Sequence, residues 1–239
     1  HHQPRRQRQM CIRDRDFVMK LKFIYGDIPF WRAEVGRLAL YFGNIDFEDI
    51  RITRDEFSYL KEHGKLLDGT SIPFHQIPCL IVDDVSIAQT GAIARFCGKL
   101  SGLYPENDSL EAAKIDQFID FVTDLNVLFS GTNNISDQTQ KISVRKELVE
   151  GALKRKLAML ENCLSENLTW AVSRKISIAD IAIWRLIGWF TAGVIDGFPK
   201  DMIASLPKLR RLCVAVDKHE KIQSWIQKTY PANYPRGNY

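Results

Sequence analysis

Two groups of polar residues in this chain have a spacing that could support chemistry. Asp116, Asp120 and Asp124 recur every fourth residue, so a helix would place them on one face, where like charges repel mildly unless a cation pairs them. Ser177 and Asp180 could act as a hydroxyl and its acidic partner, but no histidine lies nearby in sequence. Their three-residue spacing is that of a helix capping box. We therefore expect a solvated acidic face and a folding element rather than two catalytic centres.

The cysteines and histidines form no pattern typical of metal or redox chemistry. The chain has five of each, the histidines are scattered, and no C-x-x-C pair occurs. A zinc site or a disulfide framework needs paired ligands at short spacing, so the sequence predicts neither metal nor disulfides. Cys79 and Cys97 fall in apolar runs, and we expect both to be small core residues. Unpaired cysteines also favour a reducing, cytoplasmic compartment.

Composition and charge narrow the class of protein. The 239 residues are 45% hydrophobic and 26% charged, and no apolar run reaches the roughly 18 residues of a membrane helix, so we expect a soluble protein without a membrane partner. Residues 1–18 supply +3 of the formal net charge of +4, so the remainder offers little attraction to nucleic acid. These 18 residues show no helix or strand period. We interpret them as a non-native or disordered leader before Met19, the alternative being a basic arm for RNA or membrane.

Residues 19–100 alternate between strand and helix patterns. The predicted elements are a strand at 20–25, a helix from the N-cap Asp27 to Gly43, a strand at 45–52, a helix at 55–64, a β-hairpin from Leu80 to Ala88 that turns at Asp83-Asp84, and a helix from Gln89. This β-α-β-α-β-β-α order is that of a thioredoxin-like domain.

The rest of the chain has helical patterns only. After a turn-rich linker at 101–108, apolar periodicity predicts helices at 109–130, 141–166, 177–192, 199–204 and 206–229. The stretch ADIAIWRLIGWF is hydrophobic almost all round, which is typical of a helix buried in a bundle. The fold class is therefore an α/β thioredoxin-like N-terminal domain, residues 19–100, followed by an all-α helical bundle domain, residues 109–239.

Three motifs, in this order and spacing, give the chain its resemblance to a known family. The first is Ile77-Pro78 at the start of the third strand, the second is Gln89-Thr90 before GAIARF, and the third is ISIADIAIW with Ser177 and Asp180. From Met19 to about Tyr230 the chain resembles the cytosolic glutathione transferases. In that family the proline is cis, which costs an X-Pro bond only about 0.5–1 kcal/mol over trans.

The resemblance implies a binding site for glutathione as cosubstrate. Ile77, ahead of the cis Pro78, is expected to pair its main chain with the cysteinyl part of glutathione as an added strand would. Gln89 and Thr90 begin a helix whose free N–H groups favour the γ-glutamyl carboxylate. The remaining implied contacts are Lys61 for the glycyl carboxylate, Gln76, and Asp124 for the γ-glutamyl amine of a neighbouring subunit in a homodimer.

Catalysis in the resembling family requires a hydroxyl or thiol after the first strand. Between Met19 and Ile52 there is no Ser, Thr or Cys, and Tyr41 falls late in the first helix, so Tyr25 is the candidate that donates to the glutathione sulfur. Arg32 matches the arginine that supports the thiolate, although its loop is one residue longer than usual. Phe30 and Trp31 could wall an apolar pocket for the second substrate, near residues 125–129.

The function implied is that of a Tyr-type glutathione transferase, closest to the sigma, alpha and mu group, which conjugates glutathione to hydrophobic electrophiles in detoxification. Two alternatives stay open. One is a glutathione-dependent isomerase or peroxidase on the same site, such as a sigma-class enzyme resembling prostaglandin D synthase. The other is a non-catalytic scaffold, against which the retained ligand-facing residues argue.

Overall fold

The structure of the protein is a computed structural model that describes residues 19–239. The interpretation of residues 1–18 as a leader lies outside the described residues. Four strands form one sheet in the order β2-β1-β3-β4: β1 (Leu21–Gly26), β2 (Glu48–Ile52), β3 (Cys79–Val82) and β4 (Val85–Ala88). β1 runs parallel to β2 and antiparallel to β3, and β3 and β4 form the predicted hairpin. This is the thioredoxin-like arrangement expected from the sequence.

Helices cover both faces of the sheet, which is why β1 is apolar on both sides. Phe23 and Tyr25 belong to the core formed with α1 (Glu34–Phe42) and α3 (Thr90–Ser101). Ile24, the residue between them, points to the opposite face and packs with Leu60 of α2 (Arg54–His63). The period of two in a strand therefore assigns Tyr25 to the face that meets the helical domain.

The second part of the described chain is all helical. Its elements are α4 (Ser109–Ser130), α5 (Gln138–Leu148), a π-helical stretch (Val149–Leu153), α6 (Lys154–Cys163), α7 (Ile178–Thr191), α8 (Pro207–Asp217) and α9 (Glu220–Thr229). Every residue of α7 is buried, which confirms the interpretation of its apolar sequence. Within the described range, no helix combines the length and hydropathy that a bilayer-spanning segment requires.

Local signals mark the ends of several elements. The predicted capping box at Ser177 and Asp180 is present at the start of α7. A second one, between Thr53 and Glu56, begins α2, and Gly64 ends that helix in the left-handed conformation at φ 68°. Each of these contacts satisfies a backbone group that a helix end leaves without an intrahelical partner.

Three predicted boundaries are wrong. α1 begins at Glu34 and not near Asp27, because Asp27 forms an ion pair with Arg51 of β2 at 3.0 Å instead of capping a helix. Residues 199–204 form turns rather than a helix. The pattern at 206–229 contains two helices, since the chain breaks between Asp217 and Glu220.

A buried carboxylate joins the two parts of the molecule. Glu34 of α1 is 1% exposed and accepts hydrogen bonds from Trp225 of α9 and from the Tyr230 hydroxyl, the latter at 2.6 Å. It also lies 3.7 Å from Arg37, which pairs in turn with Asp49 at 2.8 Å. One hydrophobic core runs continuously from the sheet into the helical bundle. The helical domain is thus positioned directly against the face of the sheet that carries Tyr25.

Candidate active site

A cleft of about 680 Å³ lies where β1 ends. Its size is that of a small-molecule site. Three segments line it: the loop from Tyr25 to Arg32, the chain from Ile52 to Lys61, and residues 75–77 before the cis-proline. Of the predicted site residues, the structure brings Tyr25, Arg32, Lys61, Gln76 and Ile77 together around this cleft.

Tyr25 presents a buried hydroxyl to the cleft. Its side chain is 8% exposed, and burial raises the pKa of the phenol above its ordinary value. The guanidinium groups of Arg32 and Arg185, and a hydrogen bond from the main chain of Arg32, act against this rise in pKa. The phenol therefore stays protonated at neutral pH, so its O–H can donate a hydrogen bond to an anion.

Arg32 lies beside Tyr25 despite the longer loop. Its Nη2 donates to Ser130 Oγ of α4 at 2.7 Å, which anchors the side chain to the helical domain. Within this loop Phe30 adopts a left-handed φ of 61°. A cation thus lies near the Tyr25 hydroxyl.

The two aromatic residues of the loop have different positions. Trp31 lines the cleft and packs against Trp189 of α7, with ring centroids 4.6 Å apart. Phe30 is 2% exposed and packs edge-on against Trp184, so its predicted role as a pocket wall is wrong. Leu125 and Phe129 are likewise buried in the core, which leaves Trp31 and Ile28 as apolar lining from this side.

The peptide bond between Ile77 and Pro78 is cis, as the family resemblance implies. Pro78 is buried, while Ile77 is half-buried and lines the cleft. Pairing of β3 with β1 begins at Cys79, so the main chain of Ile77 lies beyond the ladder. A peptide-like ligand could pair with it there as an added strand.

The opposite side of the cleft is basic. Lys61 lies with its Nζ 5.8 Å from the centre of the Phe57 ring, and its carbonyl oxygen is 3.1 Å from His75 Nδ1. Arg54 and His75 also line the cleft, and the sequence interpretation missed both. A signal for Arg54 existed, because it precedes Lys61 by seven residues and two helical turns place both on one face. Two cations on one wall can bind a carboxylate.

Four predicted site residues lie outside the lining of this cleft. Pro78 is buried behind Ile77. Gln89 is the N-cap residue of α3 at φ 73°, and Thr90 lines a small separate cavity between α1, α3, α4 and α7. The Asp124 carboxylate is 65% exposed on α4 and lies 3.7 Å from Lys156 Nζ. The described chain alone therefore leaves Asp124 facing solvent.

The acidic face of α4 is paired rather than merely solvated. Arg95 of α3 reaches Asp116 and Asp120, each at 2.6 Å, and the Tyr104 hydroxyl donates to Asp116 at 3.1 Å. These contacts connect α3 to α4 and remove the like-charge repulsion that the spacing implied.

The cysteines near the sheet are core residues, as expected. Cys79 and Cys97 are buried, and burial raises the pKa of their thiols to about 11 and about 12 respectively. Both therefore stay protonated and unreactive at neutral pH. In residues 19–239, no three His, Cys, Asp or Glu side chains cluster as metal ligands would.

Comparison with known proteins agrees with this architecture. The family model for the glutathione S-transferase N-terminal domain matches residues 21–98, and a model for the C-terminal domain matches residues 124–229. Glutathione S-transferase 2 of Caenorhabditis elegans is 30% identical over 160 residues, which cover 62% of this chain and 79% of that protein. Glutathione S-transferase 2 of Onchocerca volvulus is 30% identical over 189 residues, covering 76% and 86% respectively.

Solved structures show the same fold. Prostaglandin synthase D of Nilaparvata lugens superposes with a TM-score of 0.75 at 25% identity, covering 89% of this chain and 99% of that one. Both domain models, relatives matched over most of their own length and a cleft at the end of β1 lead to one conclusion: the chain belongs to the glutathione transferase family, and it is an enzyme of the transferase class.

Proposed function

We propose that the protein conjugates the thiolate of glutathione to hydrophobic electrophiles, with Tyr25 as the activating hydroxyl. The observation that supports this most strongly is the buried, protonated phenol of Tyr25, which opens onto a cleft of ligand size beside Arg32. The same cleft is lined by Ile77, the residue before the cis Pro78. A free thiol has a pKa of about 8.5, so little of it is ionised at neutral pH. A donated hydrogen bond and a nearby cation lower that pKa, which raises the concentration of the nucleophile.

The proposed binding mode uses both sides of the cleft. The main chain of Ile77 pairs with the cysteinyl part of glutathione, which brings the sulfur towards Tyr25. Lys61, assisted by Arg54, attracts the glycyl carboxylate, and Gln76, which lines the same cleft, is a further proposed contact. Gln89 and Thr90, at the start of α3, are the proposed contacts of the γ-glutamyl carboxylate. Trp31 and Ile28 offer apolar surface to the electrophile.

The proposed setting is a cytoplasmic homodimer that acts in detoxification. Unpaired cysteines support a reducing compartment. The Asp124 carboxylate is 65% exposed beside Lys156, and we propose that it reaches the γ-glutamyl amine bound to a partner subunit, which makes the dimer the complete site. Sedimentation of the purified protein as a monomer at micromolar concentration would contradict this assembly.

The test is a titration of the bound thiol. Thiolate absorbance of enzyme-bound glutathione is measured across pH for the wild type, Tyr25→Phe and the control Tyr41→Phe. Tyr41 is a suitable control because its hydroxyl bonds Ser224 and Lys228, away from the cleft. We expect a thiol pKa about one to two units below 8.5 in the wild type and in Tyr41→Phe, and loss of this shift in Tyr25→Phe.

The proposed mechanism predicts how the conjugation rate changes with pH. The conjugation rate should rise with pH until the thiol is ionised and then stay level to about pH 9, because burial keeps Tyr25 itself protonated. In Tyr25→Phe the rise should occur at higher pH. If the wild type binds glutathione with an unshifted thiol, the proposed conjugation mechanism is wrong.

A second candidate reaction is favoured by one comparison. The relative from Nilaparvata lugens is described as a prostaglandin synthase D, and glutathione-dependent isomerisation would use the same cofactor contacts with a different second pocket. Assay of a prostaglandin endoperoxide beside a panel of aryl halides separates the two. Turnover of the endoperoxide alone would replace conjugation as the principal reaction.

A further inference from the structure

Arg185 is a buried arginine without a hydrogen-bonding partner. It lies in the middle of α7 and is 0% exposed. Its Nε, Nη1 and Nη2 atoms make no hydrogen bond to any described residue. Removing a guanidinium from water without pairing it is unfavourable, so such a group calls for an explanation.

The other two buried arginines of the described chain, unlike Arg185, have hydrogen-bonding or ionic partners. Arg37 is also 0% exposed but pairs with Asp49 at 2.8 Å and lies 3.7 Å from Glu34. Arg145, which is 8% exposed, donates to Thr132, Asn133 and the carbonyl oxygen of Asp196. Arg185 therefore differs from both in lacking an acceptor or a counter-charge within the described chain.

The surroundings of Arg185 point towards the active site. Burial and the neighbouring guanidinium of Arg32 lower the pKa of Arg185 to about 10, and the opposing influence comes from Tyr25. Arg185 also borders the cavity of about 10 Å³ between α1, α3, α4 and α7, where the Oδ1 atom of Asn126 is unpartnered too. Thr90 and Thr123 are the other polar residues that line this cavity. No carboxylate of the described chain faces the guanidinium from these elements.

The charges of the described residues near Tyr25 are thus unbalanced. Arg32, Arg185 and Arg37 all act on the phenol, and within residues 19–239 only Arg37 among them has carboxylate partners. An anion that accepts the Tyr25 hydroxyl hydrogen would supply the missing negative charge. The proposed thiolate is such an anion.

We propose that Arg185 is a positioning residue that acts through Tyr25 from inside the helical domain and holds the sulfur of bound glutathione as thiolate. This inference rests on the proposed function, since it assigns a third group to the same activated sulfur. Arg185 borders the small cavity next to Thr90 and not the cleft, so in this proposal it acts without contacting the ligand. Its charge favours the state in which negative charge has gathered on the sulfur that accepts the Tyr25 hydrogen bond.

The proposal has a consequence that a structural role would not have. Burying an unpaired charge is costly, and apolar side chains of similar volume that replace buried ionic groups often leave stability unchanged or increase it. Arg185→Met should therefore match or exceed the wild-type melting temperature. It should nevertheless raise the pKa of bound glutathione by about one unit, which means about tenfold less thiolate at pH values below that pKa.

The experiment compares full-length wild type with Arg185→Met, Arg185→Lys and Arg145→Met. The pKa of bound glutathione is taken from thiolate absorbance, and affinities for glutathione and S-methylglutathione are measured by calorimetry at pH 7. S-methylglutathione has the same carboxylates but no ionisable thiol. We expect Arg185→Met to weaken glutathione binding several-fold and leave S-methylglutathione binding unchanged. Arg185→Lys and Arg145→Met should keep the wild-type thiol pKa.

Several results would overturn the proposal. An unaltered thiol pKa in Arg185→Met, with an acidified thiol in the wild type, would leave the proposed function standing and remove the role of Arg185. Equal weakening of S-methylglutathione would assign Arg185 to a carboxylate of the ligand instead. If glutathione bound to the wild type has an unshifted thiol pKa, the proposed function is wrong, and the proposal for Arg185, which rests on it, is wrong as well. Should Arg185→Met not fold, Arg185→Gln is titrated in its place, with the same outcomes.

Discussion

At the scale of single residues, the orientation of Arg32 depends on a contact from the other domain. The loop that carries Arg32 is anchored to α4 by the hydrogen bond from Nη2 to Ser130 Oγ. Arginine side chains have many rotamers, so a cation near a reacting sulfur is useful only if its position is restricted. Ser130 therefore contributes to the electrostatics of Tyr25 without lining the cleft.

Ser130→Ala should reduce kcat/KM about three- to tenfold, because the hydrogen bond to a charged group contributes on the order of 1 kcal/mol to holding Arg32 beside Tyr25. The melting temperature should change little, since Ser130 is half-buried and sits at the end of α4. Steady-state kinetics with glutathione and an aryl halide test this. Ser224→Ala is the matched control, because it removes a serine–tyrosine hydrogen bond of 2.8 Å at Tyr41. An equal loss of activity in both variants would contradict a specific role.

At the scale of elements, the start of α7 depends on one buried carboxylate. Asp180 is 0% exposed and accepts from the main-chain N–H and hydroxyl of Ser177 and from the N–H of Ala171. The helix that carries Arg185 and packs against Trp31 is positioned through these contacts. Its cap thus connects local sequence to the geometry beneath the active site.

Asp180→Ala should lower the free energy of unfolding by about 3 kcal/mol, since it leaves two buried N–H groups without acceptors. The melting temperature should fall by roughly 6–12 °C for a chain of this size. Asp108→Ala is the matched control: Asp108 caps α4 through Leu110 and Glu111 at an exposed position, so its loss should cost about 1 kcal/mol. Urea denaturation of both variants measures the difference. Equal losses in the free energy of unfolding would show that burial does not make the Asp180 contacts more stabilising than the exposed contacts of Asp108.

The elements that the sequence predicts correctly are those with local signals. The hairpin about Asp83-Asp84 and the capped helix α7 each depend on residues a few positions apart, whereas the cis bond at Pro78 is implied by the family resemblance. The start of α1 could not be predicted in this way, because Asp27 is a good N-cap by type but its carboxylate pairs with Arg51 on another strand. Such long-range contacts override propensity.

The same distinction separates the predicted from the unpredicted parts of the site. Tyr25, Arg32 and Ile77 follow from motifs whose order along the chain matches the resembling family. Arg185 was overlooked because the run ADIAIWRLIGWF favours a buried helix as a whole. Whether its one charged residue after Asp180 has a partner depends on the packing of α1, α4 and α7, which no local pattern encodes.

At the scale of the whole molecule, residues 230–239 form a covering segment that passes over α7 and the first loop. The Tyr234 hydroxyl donates to the carbonyl oxygen of Pro29 at 3.0 Å, and Tyr230 packs edge-on against Phe30. Arg236 lies 3.3 Å from Asp217 of α8. The loop that presents Tyr25 and Arg32 is therefore fastened from outside by the covering segment as well as from below by α7.

Gly188 of α7 permits this close approach. A Cβ atom at position 188 would overlap the carbonyl oxygen of Arg236, the hydroxyl of Tyr239 and the ring of Phe30. The Arg236 backbone and the buried Phe30 ring cannot shift without a cost in free energy. Gly188→Ala should therefore displace the covering segment and destabilise the protein by about 1–3 kcal/mol. Because the segment holds Pro29 and Phe30, we also expect the KM for glutathione to rise several-fold. Thermal unfolding and steady-state kinetics measure the two effects.

Gly151→Ala provides the control, since a Cβ atom there would have as its nearest neighbour an Arg155 side-chain atom at 4.0 Å. It should leave the KM for glutathione unchanged and should not lower the melting temperature. Tyr234→Phe distinguishes the effect of the hydrogen bond from that of side-chain packing, because it removes the hydrogen bond to Pro29 and keeps the ring in place. A rise in KM with a near-normal melting temperature in Tyr234→Phe would attribute the effect to the loop. Wild-type KM in both Gly188→Ala and Tyr234→Phe would show that the covering segment stabilises α7 alone and has no influence on the site.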